Sequence, residues 1–341
     1  MGLFSLFTKE IAIDLGTANT VILHENKVVV DEPSIIAMNF RTKAVVAVGK
    51  KALMMEGKTS GDIITVRPLK NGVIADFQAA ESMLREFIKM TNMGRNLFSP
   101  AMKMVICIPS GITEVEERAV RESAEQAGAK EVRLIYEPMA AAIGSGIDVL
   151  DANGNMIIDI GGGTSEVAVI ALGSIAAKKS VQVAGDRLNT DIKEFMRREH
   201  NLDIGLPTAE QIKINVGAAI PNLENPPTDY EVSGRDLVHG IPRSIQVNHQ
   251  EVASALNNSI NAIEDAVMQA LNVTPAELSA DIYKTGIYLA GGGSLLRGLD
   301  KRISKITQLP VHVVEDPLRA VARGTAIALK NLDKFESLTK Y

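Results

Sequence analysis

The sequence predicts an α/β protein built from two duplicated lobes, each a mixed sheet flanked by helices, with a cleft between them. Three observations predict it. A strand that ends in Asp and runs through a Gly-rich turn into a β-branched strand occurs twice. A longer unit (strand, Gly turn, helix, strand, acidic residue with Pro, helix) also occurs twice. The chain has 341 residues, enough for two hydrophobic cores.

In chain order, the first hairpin is Ile11 to Leu23, with Asp14 before the turn Gly16-Thr17-Ala18-Asn19. Residues 33–72 alternate apolar and polar side chains and carry Gly49, Gly57 and Gly61, which reads as a small subdomain inserted in the first lobe. Lys103 to Ile108 is a strand, followed by Pro109-Ser110-Gly111 and a helix from about Glu114 to Ala127. Thr113 with Glu116 makes a capping box at its start, and Gly128 supplies the C′ position. Glu131 to Tyr136 is the next strand, and Glu137-Pro138 opens a helix.

The second copy begins with Met156 to Val169, where Asp159 precedes Gly161-Gly162-Gly163-Thr164. Residues 186–245 hold two helices, a Pro-rich loop and a hairpin around Gly234 and Gly240, a second small subdomain. Gly286 to Ala290 is a strand, Gly291-Gly292-Gly293 its turn, and Leu295 to about Ile306 the helix. Val311 to Val314 and Asp316-Pro317 complete the unit. Lobe I is therefore assigned residues 1–145 and 318–341 with a subdomain at about 33–72, and lobe II residues 146–317 with a subdomain at about 186–245.

Composition excludes several classes of protein. Apolar residues make up 46% and charged residues 23%, an ordinary globular profile, and the net charge of −5 argues against nucleic acid as a partner. The single Cys107 lies in an apolar strand, so no disulfide forms within one chain. No apolar run reaches the roughly 18 residues of a membrane span, and the start of the chain has neither a signal peptide nor a myristoylation pattern. The five His show no metal-ligand spacing.

The chemistry resides in the turns. An Asp at a strand end beside a turn of small residues brings a carboxylate and several backbone N–H groups to one spot, which suits phosphate and hydrated Mg²⁺. One such turn alone is as readily a tight hairpin with no ligand, but a matched pair, Asp14 and Asp159, favours a ligand. The P-loop pattern is absent. Glu137, between a strand end and a helix start, can orient or deprotonate a water, although its position alone is better described by an ordinary acidic helix cap. Asp316 is its counterpart in the second copy and serves as an internal control. Gly291 to Ser294 lies where an open α/β sheet binds ligands, or is merely a structural turn. Thr208 and Gln211 read as a capping box that sets Glu210 and Lys213 on one helix face; on periodicity alone these are a solvated pair.

Together these motifs resemble the actin, heat-shock-chaperone and sugar-kinase superfamily. Within it, Ile13 to Thr20, Asp76-Phe77, Glu137 to Gly144, Asp159 to Thr164, Thr208 to Lys213 and Ala290 to Leu299 are similar to the MreB family of bacterial actin-like proteins. The resemblance runs from about Glu10 to Ala328 and implies an actin-like fold. It also implies ATP as ligand, with Gly16, Thr17, Ala18 and Asn19 as the first phosphate loop and Gly161, Gly162, Gly163 and Thr164 as the second. Asp14 and Asp159 would hold Mg²⁺ through water. Glu137, assisted by Thr164, would position the hydrolytic water. Glu210, Gln211, Ile212 and Lys213 would contact the nucleoside, and Gly291, Gly292, Gly293 and Ser294 would close over it. Tyr136 departs from the pattern, since many relatives carry an acid there.

The resemblance implies a homopolymer filament with slow Mg²⁺-dependent ATP hydrolysis, on the inner face of the cytoplasmic membrane. Its partners would be the cell-wall elongation machinery, and its role to set a rod-like cell shape. A small-molecule kinase of the same superfamily is the alternative; it needs a base facing a second substrate, and none is identifiable. A chaperone would need a client domain beyond the nucleotide core. For the membrane, Leu3, Phe4, Leu6 and Phe7 precede any core strand with Lys9 behind them, and Leu97-Phe98 sits in a polar loop where family members touch lipid.

Overall fold

The computed structural model describes residues 8–59, 61–91 and 101–340. Leu3, Phe4, Leu6, Phe7, Leu97 and Phe98 lie outside the described residues.

In lobe I, β1 (Thr8–Leu15), β2 (Asn19–His24) and β3 (Lys27–Pro33) form an antiparallel meander. The small subdomain follows, with β4 (Ile36–Asn39), β5 (Val45–Val48), the one-turn helix α1 (Lys50–Leu53) and β6 (Ile63–Val66), the strands ordered β5-β4-β6. The short hairpin of β7 (Leu69–Lys70) and β8 (Val73–Ile74) turns through Asn71-Gly72. Helix α2 (Phe77–Met90) is capped by the Asp76 side chain. β9 (Ala101–Ile108) then pairs parallel to β1, α3 (Glu114–Gln126) crosses over, and β10 (Glu131–Tyr136) pairs parallel to β9. Helix α4 (Glu137–Gly144) leaves β10 directly. The capping box at Thr113 and Glu116 is formed in both directions, as the spacing predicts.

Lobe II repeats the plan with β11 (Asn155–Ile160), β12 (Ser165–Ala171) and β13 (Ser174–Val181). Its subdomain contains α5 (Gly185–His200), β14 (Leu202–Asp203), α6 (Leu206–Val216), β15 (Tyr230–Asp236) and β16 (Pro242–Val247). Then come α7 (His249–Asn272), α8 (Ala276–Thr285), β17 (Ile287–Ala290), α9 (Leu299–Thr307) and β18 (Val311–Val313). Finally α10 (Ala320–Lys330) and β19 (Thr339–Lys340) return the chain to lobe I, where β19 pairs with β10.

The strand orders β3-β2-β1-β9-β10 and β13-β12-β11-β17-β18 are the same, with the same mixture of antiparallel and parallel pairs. This is the actin-like fold, and the duplication read from the sequence is a duplication of topology. Side chains alternate across each sheet. Ile11, Ile13 and Leu15 face the core that lobe I shares with α2 and α3, whereas Ala12 faces inward toward α4 and α10. In lobe II, Met156, Ile158 and Ile160 face α5 and α7, whereas Ile157, Ala168 and Ile170 face the same central layer. The central helices are rich in Ala and Gly because they must pass between two sheets.

Three local expectations differ. The helix after the late Gly turn starts at Leu299 rather than Leu295, because Gly292–Leu295 closes a 3₁₀ turn and Gly298 takes a φ of 76°. The last helix starts at Ala320, after a 3₁₀ turn at Pro317–Arg319. No capping box forms at Thr208, because α6 begins at Leu206 behind Gly205, leaving Thr208 inside the first turn.

Candidate functional site

The two Asp-Gly turns meet face to face. A Cβ on Gly162 would stand 2.9 Å from the Ala18 nitrogen, and one on Gly163 would stand 2.7 Å from Thr17 Oγ1. Only glycine allows the lobes to approach so closely, which is why the second turn carries consecutive glycines. Thr17 Oγ1 accepts a hydrogen bond from the Gly72 nitrogen at 2.9 Å, tying the β7–β8 turn to the first loop. Asn71 Nδ2 donates across the cleft to Gln182 Oε1 at 3.2 Å. Thr164 is buried, and its side chain abuts Gly72.

Behind the turns lies a cluster of carboxylates. Asp14 ends β1 and Asp159 ends β11, at matching positions of the two sheets. Burial pushes Asp14 up to about 6, offset in part by the thiol of Cys107, which donates to Asp14 Oδ1 at 3.1 Å. Burial, then Asp14 and Glu166, push Asp159 up to about 7. Glu137 is the first residue of α4, with Tyr136 as the N-cap. Its carboxyl lies well above the usual range, through burial first and then the nearby Asp159, Asp14 and Glu166. Asp159 is 4% exposed, and its Oδ1 has no hydrogen-bond partner.

A buried, unpartnered carboxylate oxygen among like charges fits a cation's outer ligand shell. Among the described residues, no three His, Cys, Asp or Glu converge to cage a metal directly. One or two carboxylates beside a phosphate turn are a donor set that Mg²⁺ accepts, since it keeps several of its waters.

Asp316, the counterpart of Glu137, is exposed and points at Arg319 (3.8 Å) and Arg323 (4.0 Å). Only one of the two copies faces the cluster. Gly291 and Gly293 press on the end of β11, where a Cβ on Gly291 would fall 2.5 Å from Asp159 Oδ1. A Cβ on Gly292 would instead stand 2.9 Å from Leu318. Ser294 Oγ donates to the Gly291 carbonyl at 2.7 Å, locking the turn.

The first turn borders a cleft of about 290 Å³ lined by Ala18, Asn19, Asn71, Asp186, Asn189 and Glu210, among others, whereas Gly161 to Thr164 do not line it. The nitrogens of Gly185 and Asp186, at the start of α5, donate to the carbonyls of Gly161 and Gly162 (3.1 and 2.8 Å). Lys213 Nζ donates to the Gly185 carbonyl at 3.0 Å; burial lowers its pKa, opposed by Glu210 and Asp186. Glu210 thus lines the cleft, and Lys213 is partly buried behind it against the start of α5, so the two are not simply a solvated pair. Gln211 is exposed, and Ile212 is fully buried in the core of lobe II, so its side chain does not reach the cleft.

Several site residues escaped the sequence. Arg67 lines the cleft and forms a two-pronged pair with Glu56 at 3.1 Å. Glu166 is completely buried and bonded to Ser110 and Ser180. The available signal was Glu166 itself, a lone acid in a strand otherwise made of Ser, Val, Ile and Ala.

No described helix is long and apolar enough to cross a membrane. A family model described as MreB/Mbl protein matches residues 8–337. The chain is 45% identical over 330 residues to the cell shape-determining protein Mbl of Bacillus subtilis, covering 96% of this chain and 98% of that one. It is 46% identical over 333 residues to the cell shape-determining protein MreB of Escherichia coli K12, covering 96% and 95%. Structures of MreB5 of Spiroplasma citri, one bound to ADP and one to AMPPNP, superpose with a TM-score of 0.90 at 38% identity, covering 97% of this chain and 98% of theirs.

Proposed function

The protein belongs to the MreB/Mbl family, and from that premise we propose that it is a polymerising, cell-shape-determining ATPase. One observation carries this reading: the Asp-Gly turns of two topologically equal lobes close on each other over a buried carboxylate cluster. Free backbone N–H groups of the turns Gly16 to Asn19 and Gly161 to Thr164 cradle the phosphates from opposite sides, the Gly161 N–H being bonded to the Thr164 carbonyl, which closes the second turn. Glu210 and Lys213 flank the nucleoside, with Gly291 to Ser294 closing the lobe II side. Asp14 and Asp159 hold the cation through water.

Mg²⁺, when bound with the nucleotide, offsets the negative field of the cluster and neutralises charge on the phosphates. Glu137 works as the carboxylate that orients and deprotonates the attacking water, assisted by Thr164. A residue poised among three other acids is tuned by its surroundings, which supports acid–base chemistry over a plain helix cap. Hydrolysis is slow and linked to assembly, and filaments lie on the inner face of the cytoplasmic membrane, where they guide cell-wall synthesis.

The test is sedimentation of purified protein. Filaments that pellet above a critical concentration in MgATP are expected. A protein that stays monomeric at every concentration while nucleotide is bound would contradict the polymerising reading and favour a small-molecule kinase.

A further inference from the structure

Glu166 occupies a place that the proposed hydrolysis leaves unused. It lies on β12 directly across from Asp159 in the β11–β12 pairing and is 0% exposed. A carboxylate so buried must be satisfied by hydrogen bonds or it destabilises the fold. No cationic side chain pairs with it among the described residues. Its partners are neutral donors drawn from both lobes. Glu166 Oε2 accepts from the Ser110 nitrogen at 3.2 Å and from the Ser110 hydroxyl, and Oε1 accepts from the Ser180 hydroxyl. Lys178 Nζ, on the neighbouring β13, donates to the Ser110 carbonyl at 2.6 Å. Lobe II thus grips the N–H, the hydroxyl and the carbonyl of one residue of lobe I.

Ser110 follows the C-terminal end of β9, and that end touches the chemistry in two ways. Cys107, on the same strand, donates to Asp14. Pro109 lies 2.7 Å from where a Gly72 Cβ would stand, and the Gly72 nitrogen bonds Thr17 in the first phosphate turn. Lys178 also stands 5.3 Å from the ring centroid of Tyr136, the cap residue immediately before Glu137.

We propose that Glu166 is a positioning residue: an interlobe clamp that, through Ser110, holds Asp14, the first phosphate turn and Glu137 of lobe I in register with Asp159 of lobe II. Separating the lobes at this point would strip two hydrogen bonds from a buried carboxylate, so the clamp favours the aligned state. It rests on the ATPase reading for its kinetic consequence but not for its structural one.

The test compares Glu166→Ala, Glu166→Gln and Ser110→Ala with wild type. Glu166→Ala is expected to lower the turnover of MgATP by about 10-fold or more while ATP affinity stays within roughly threefold, since misplacement of catalytic groups penalises the rate more than binding. Glu166→Gln, which keeps an accepting oxygen, should recover part of the loss. Hydrogen exchange on nucleotide-free protein should show the Ser110 amide deprotected in Glu166→Ala while Ile106, within β9, stays protected. If Glu166→Ala does not fold, Ser110→Ala, which removes one hydroxyl, must show the same direction of change in turnover. Wild-type turnover and wild-type protection at Ser110 in the variants would overturn the clamp, as would equal losses at Ser110 and Ile106. If wild type itself hydrolyses no ATP, the ATPase reading fails and the exchange data alone decide the clamp.

Discussion

Gly144 and Gly324 face each other where α4 crosses α10. A Cβ on Gly144 would stand 1.9 Å from the Ala320 carbonyl oxygen, and one on Gly324 would stand 1.7 Å from that of Ala140. The two helices therefore pack backbone to backbone, in the layer between the sheets. Gly324→Ala should destabilise the fold by about 1–3 kcal/mol, the usual range for overpacking a filled core. Urea denaturation checks this, and an unchanged midpoint would mean the helices can separate freely.

Stability should also depend on pH with an unusual sign. Burial raises Asp14 to about 6 and Asp159 to about 7, whereas both return to about 4 in the unfolded chain. Between those values the folded state holds more protons than the unfolded state. The contribution is thus fully present below the unfolded pKa and is lost as pH rises through about 7. Without divalent cation or nucleotide, Asp159→Asn should melt above wild type at pH 8 and close to it at pH 4. A variant that melts below wild type at pH 8 would show that the fold does not penalise the ionised Asp159 carboxylate.

Glu137→Gln should lower ATP hydrolysis by about 10²-fold while leaving nucleotide affinity nearly unchanged. Single-turnover measurements separate the two. Hydrolysis at the wild-type rate would reduce Glu137 to a residue of the first helical turn.

Most of this architecture is legible in the sequence because duplication leaves matched punctuation. Asp14 and Asp159, the two Gly turns and the two acidic-Pro junctions mark equivalent strand ends without any knowledge of contacts. Helix starts that depend on backbone geometry were less legible. Nothing in Gly292 to Gly298 announces a 3₁₀ turn followed by a left-handed glycine, and Pro207 is a better marker of the α6 start than Thr208. The clamp and the Arg67–Glu56 pair were invisible for another reason. Their partners are distant in sequence, and a single Ser or Glu carries no periodic signal.

Membrane binding makes a separate prediction, from Leu3, Phe4, Leu6, Phe7 and the pair Leu97-Phe98. Burying four large apolar side chains yields at most roughly 6–12 kcal/mol, and ordering about eight residues costs a similar amount, so one subunit should bind lipid weakly. Filaments presenting many anchors should bind tightly. Co-sedimentation with liposomes should therefore require assembly and should fall on deletion of residues 2–7 or in Leu97→Ser/Phe98→Ser. Equal pelleting of all three proteins would remove both segments as anchors.

The most direct test of the central claim is an equilibrium titration of ATP into wild type and Asp159→Ala, each with excess Mg²⁺ and with excess chelator. Wild type should bind ATP much more tightly with Mg²⁺ than without it, and Asp159→Ala should lose most of that difference. Binding by wild type that is absent, or that Mg²⁺ does not change, would contradict a nucleotide–cation site between the two Asp-Gly turns.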